Sequence, residues 1–255
     1  MRGILSLAWH TWIEAVRDRV LYLLLFFGLF VFLAAQLLAP LALGEGRRIT
    51  IDLGLASLSL FGCLLTIFVG HQLIFREIER KTLYFVFARP VRRSAFVLGK
   101  YLGLLFTLAC TVGAMGGLLA LVLLVRGYAF GVGLFEAIGL VFLELSIVAA
   151  LAVLLASFTS PILAGLFTLA AYIIGHGSGD LLELLTNAGP QSAGLVKWTS
   201  WIVPRLDLYH DAWPVLSLAA YSADQLALAA GYAGMYAAAS LVLAAIVLER
   251  RELAV

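Results

Sequence analysis

Imidazole both ligates metals and moves protons near neutral pH, so the four histidines are the first candidates for chemistry in this chain. His10, His71, His176 and His210 lie far apart, with no i,i+4 pair and no zinc-type spacing. Ser178 stands between Gly177 and Gly179 with His176 close by, a fragment of the kind found around nucleophilic serines. Proximity in sequence does not make a nucleophile–base pair, and a glycine-rich break at the end of an apolar helix accounts for the same residues. Cys63 and Cys110 both fall inside apolar runs, where a thiol packs as a small hydrophobe. A phosphate cradle needs a glycine-rich loop followed by Lys and Ser or Thr. Gly99-Lys100 is followed instead by Tyr101, with Ser94 where the leading glycine belongs. The residues therefore assign no catalytic group, no cofactor-binding group and no metal ligand to this chain.

Glu144 is the remaining candidate. It lies about ten residues inside an apolar run, some ~15 Å along a helix, which places it near the middle of a bilayer. A carboxyl there is costly enough that it faces protein or a wet cavity. Two readings stand side by side: a residue lining a transport path, or a protonated or hydrogen-bonded group that fixes packing between helices. Glu136, eight residues earlier, lies close to the boundary of the same run.

The elements that hold these residues follow from composition. Hydrophobic residues make up 63% of the 255-residue chain, charged residues 13%, and mean hydropathy is +1.05. A soluble domain is nearer half apolar and a quarter charged, so the chain reads as an all-α polytopic membrane protein. Six transmembrane helices are expected, over about 20–43, 53–74, 97–125, 134–157, from 161 to 176 or beyond, and 225–248. They form one transmembrane domain, 1–255, with no room for a large soluble unit. Ser160 before Pro161 predicts a capped start for the fifth helix. Placing the amino terminus in the cytoplasm puts twelve of the seventeen Lys and Arg on the inner side and five outside, so both termini are expected to be cytoplasmic. A net charge of +2 gives no indication of a nucleic-acid partner.

Residues 1–19 precede the first span. Ile4, Leu5, Ala8, Trp9, Trp12, Ile13 and Val16 recur at three- and four-residue spacing, which predicts an amphipathic helix in the headgroup layer. Packing of the same face against protein is the alternative, and the two are compatible. Residues 177–224 form the longest outer segment, where mixed aromatics and charges suggest short helices at the surface.

The cytoplasmic loop 75–97 and the mouth of the next span, up to Lys100, carry seven basic residues: Arg76, Arg80, Lys81, Arg89, Arg92, Arg93 and Lys100. Interleaved with them are Glu77, Glu79, Tyr84, Phe85, Phe87 and Phe96, and Pro90 breaks any helix through the middle. Basic groups here can hold the loop inside and touch anionic lipid, or meet carboxylates of a partner.

This run resembles the first cytoplasmic loop of ABC exporter permeases of the type-2 class, closest to the six-span permeases associated with multicopper-enzyme maturation. The matching steps are Glu77 and Glu79, Lys81-Thr82-Leu83, Ala88-Arg89-Pro90, Arg92-Arg93-Ser94 and Leu98-Gly99-Lys100. The outer step Val203-Pro204-Arg205-Leu206-Asp207 is a loose match only. The resemblance implies a cell-membrane permease subunit (inner membrane in a Gram-negative source), itself not an enzyme. It pairs with a second permease copy or a paralogue, and an ABC ATPase subunit binds the ATP and Mg. Docking is then expected at Glu77, Glu79, Arg80, Thr82, Tyr84, Phe85 and Arg89, with export or transmembrane movement of an unidentified substrate. The alternative is a mechanotransmitting subunit that passes motion to an extracytoplasmic protein without moving a solute.

Overall fold

The computed structural model describes residues 2–38, 45–79, 93–179, 204–210 and 213–250. The described residues contain helices and no strand. In order these are α1 Arg2–Arg17, α2 Arg19–Leu38, α3 Gly46–Glu79, α4 Arg93–Val125, α5 Val132–Phe158, α6 Pro161–His176, a 3-10 turn Asp207–Tyr209, α7 Trp213–Leu216 and α8 Ala223–Arg250. Four helical stretches are long and apolar enough to cross a membrane: Gly46–Gly70, Ala95–Val125, Val132–Phe158 and Ala223–Glu249. Helix α2 adds a 20-residue apolar element, while α6 is shorter, at 16 residues.

Helix α5 is the centre of the bundle, and its sequence explains why. It is apolar on every side, so no face prefers water, and an all-round apolar helix is buried. It packs against α3, α4, α6 and α8, with Leu134, Leu145 and Ile147 fully enclosed. Helix α3 reaches it closely through glycine: a Cβ at Gly62 would lie 2.3 Å from Leu145 Cδ1, and one at Gly54 2.4 Å from Leu119 Cδ1 on α4. Small residues bring helices together where lipid gives no hydrophobic drive.

The amino-terminal helix takes the protein-packed alternative on one face while keeping Trp9 exposed on the other. α1 lies along α4, with Trp12 edge-on to Phe106 at 5.1 Å between ring centroids. Gly103 makes the seam possible, because a Cβ there would stand 2.7 Å from the Ala8 carbonyl oxygen and 2.5 Å from Thr11 Cβ. In the same seam Lys100 Nζ lies 3.8 Å from Glu14 Oε2. Lys100 is buried, so this member of the basic run faces the protein rather than water or lipid.

Element ends depart from the sequence expectations in physically informative ways. Helix α3 runs on to Glu79 and α4 starts at Arg93, so both edges of the loop expected at 75–97 are helical. Ser160 does occupy the N-cap position of α6 ahead of Pro161, but its side chain makes no capping bond. Helix α6 ends at His176 without continuing, which leaves its last carbonyls for a different partner.

Candidate functional site

That partner is the segment 204–210. Leu206 donates its backbone N–H to the Gly175 carbonyl at 3.1 Å, and Gly175 has no side chain because Pro204 O would sit 2.8 Å from its Cβ. Ser178 Oγ lies 2.8 Å from Gly175 O and 2.9 Å from Asp207 Oδ1. Asp207 in turn holds Arg205 Nη2 at 3.2 Å, and the Tyr209 hydroxyl donates to Ala229 O on α8 at 2.8 Å. Two short helical pieces, Asp207–Tyr209 and Trp213–Leu216, do fall in the 177–224 segment, and its part 204–210 is folded into the end of α6 and against α8. Ser178, weighed above as a nucleophile, serves as a pin between Gly175 and Asp207. Residues 180–203 lie outside the described residues.

The register of the α5–α6 hairpin sets the depth. Helix α5 ends at Phe158 and α6 begins at Pro161, so Glu144 and His176 stand at nearly equal distances from the turn, each about 23 Å along its helix. The inserted segment delivers His210 to the same level. His176 Nε2 lies 3.4 Å from Glu144 Oε1, and His210 Nδ1 lies 3.6 Å from Glu144 Oε2. The two imidazole rings meet edge to face at 4.5 Å. One ligating atom from each of the three residues falls within 4.8 Å of the others.

Each member is held by neighbours. Tyr172 and Ser59 are 2.7 Å apart and Ser59 donates to Glu144 Oε1 at 3.0 Å, so the tyrosine hydroxyl is the donor to Ser59. His176 Nδ1 lies 3.1 Å from the Tyr172 carbonyl, which can only accept. Nδ1 therefore carries a proton, which leaves Nε2 as the ring nitrogen turned toward Glu144. Burial, reinforced by the His176 ring, holds the His210 imidazole down to about 4, against a weaker opposing bond to the Leu206 carbonyl. Glu144 is fully buried, and its Oε2 has no hydrogen-bond partner among the described residues. A cavity of about 320 Å³ reaches His210 past Asp52, Tyr209 and Tyr221.

The sequence expectations land unevenly on this geometry. Glu144 lies where an internal carboxyl should, and both histidines that were dismissed for their separation stand beside it. Glu136, at the end of the same helix, accepts the Tyr221 backbone N–H at 2.8 Å. Cys63 and Cys110 are both free, the first buried and the second exposed. Of the docking residues, Glu77 and Glu79 lie on the last turn of α3. Arg80, Thr82, Tyr84, Phe85 and Arg89 lie outside the described residues.

Residues 5–253 match the family model described as ABC-2 family transporter protein. No curated protein matches the chain.

Proposed function

The chain belongs to the ABC-2 family of transporter membrane proteins, and from that premise we propose that it is a permease subunit driven by an ATPase carried on a separate chain. It is a multi-pass membrane protein. One observation carries the reading: the family match covers nearly the whole chain, and no phosphate cradle is left over anywhere in it. ATP and Mg²⁺ would then be held by the partner, and the permease would act as a homodimer or beside a paralogue.

Docking falls on the stretch from Glu77 to Arg89. The apolar part of α3 ends at Gly70, but the helix continues to Glu79, about 14 Å further. That projection supports a contact outside the bilayer, made by Glu77, Glu79 and the residues that follow. Six spans with both termini cytoplasmic are the topology that the arginine bias favours, with α6 as the short fifth element. The motif steps in the 75–100 run favour the permeases of multicopper-enzyme maturation within the class. Motion of α3 would reach Glu144 through Ser59, which suits a residue on the path of whatever is moved.

Charge reversal tests the docking. Glu77→Lys and Arg89→Glu are each expected to abolish co-purification of the ATPase while the permease stays inserted in the membrane at wild-type amounts. Intact complexes from both variants would refute the assignment of this stretch.

A further inference from the structure

We propose that Glu144, His176 and His210 bind a first-row divalent transition cation of the zinc or copper(II) class, reached through the cavity lined by Asp52 and Tyr221. The proposal goes beyond the permease reading and does not depend on it. Three residues from three separate elements converge, two offering imidazole nitrogen and one carboxylate oxygen. Such a set suits Zn²⁺, Cu²⁺ and their neighbours, whereas Ca²⁺ and Mg²⁺ require shells made of oxygen. The spacing argues the same way. A charge-assisted hydrogen bond between these groups would close to about 2.7–2.9 Å, yet the contacts are 3.4 and 3.6 Å. Bonds of about 2.0–2.1 Å to a tetrahedral ion place neighbouring donors about 3.4 Å apart; with His176 on Oε1, His210 on Oε2 and the set within 4.8 Å, the three side chains would draw in slightly around an ion.

Two further observations point to a cation. The Tyr172 carbonyl fixes His176 with Nε2 turned toward a carboxylate oxygen, the orientation in which both atoms can ligate one cation. Among the described residues Glu144 Oε2 is buried with no hydrogen-bond donor, although native interiors rarely leave such an atom unmatched. Ser59 on Glu144 and the Tyr172 carbonyl on His176 are the outer contacts that orient metal ligands. Three protein ligands leave a fourth position open, the mark of an ion that exchanges or carries a small ligand rather than one that staples a fold. The cavity beside His210 supplies the way in, with Asp52 as an acidic group along it.

The test is a titration of the full-length, tag-free protein in lipid nanodiscs, stripped with chelator, with Co²⁺ alone as the probe. One equivalent of Co²⁺ should raise the visible ligand-field band of a low-coordinate site, and Zn²⁺, but not Mg²⁺ or Ca²⁺, should remove it. Glu144→Gln and His210→Gln should each weaken binding by at least about 100-fold, and Ser59→Ala, which removes an outer contact, by about 10-fold. Elution of each variant as wild type does separates loss of the site from loss of the fold. Wild-type protein that takes up no stoichiometric Co²⁺ overturns the proposal, and so does binding that survives both Glu144→Gln and His210→Gln. No ATPase is present, so failure of the docking assignment leaves this result untouched.

Discussion

Two glutamates reach into the protein from different helices, and they meet opposite surroundings. Glu14 on α1 meets Lys100, whose ammonium opposes its charge, in the seam with Trp12, Phe106 and Gly103. Glu144 on α5 meets two imidazoles and a serine, none of which supplies a fixed positive charge, and one of its oxygens is left without a donor. A balanced pair has no work left beyond holding two helices together. An unbalanced carboxylate survives burial only if something else completes it, and that is where function concentrates.

The contrast can be tested by substitution. The largest loss should come from the seam itself: Gly103→Ala drives a methyl into the Ala8 carbonyl, backbone that cannot rotate away. Overpacking of this kind is expected to cost about 3 kcal/mol, read as a lower unfolding midpoint in detergent with α1 released to proteolysis. Next comes Glu14→Ala, which leaves the Lys100 ammonium short of its carboxylate and should cost about 2 kcal/mol, with partial recovery in the Glu14→Lys, Lys100→Glu exchange. Glu144→Gln should be the mildest for stability, within about 1 kcal/mol of wild type, because the amide still accepts from Ser59 and can donate toward His210. The comparison collapses if Glu144→Gln unfolds the protein as readily as Glu14→Ala does.

Much of the helical bundle was legible in the sequence because apolar length is a local property. The helix starting at Pro161 could be read from one dipeptide, and Glu144 stood out through its polarity alone. The partners of Glu144 were not legible by motif search, since motif spacing assumes ligands that share a helix or a loop. His176 instead comes from hairpin register, a signal that was present: Glu144 and His176 lie almost equally far from the Thr159–Ser160 turn. His210 had no such signal. It is delivered by a segment that folds back onto Gly175, and only the absence of a Cβ there hints that another backbone approaches. Lys100 was misleading for the opposite reason. It sits within a basic run whose other members gave the run its character, yet the α4 register turns it toward Glu14.

Helix α3 is an unbroken 34-residue rod, about 51 Å long, with no proline to absorb a bend. Ser59 and Glu77 ride on it about 27 Å apart. Rods act as levers, and leverage turns small angles into chemistry: a push at Glu77 that tilts the rod about 5° around its far end at Gly46 would carry Ser59, about 20 Å from that end, by about 2 Å. The Ser59 to Glu144 bond, at 3.0 Å, would not survive such a displacement. A push at one end of α3 is thereby expressed inside the bundle as the loss of a single proton donor, and Glu144 would change its company through a small tilt of one helix.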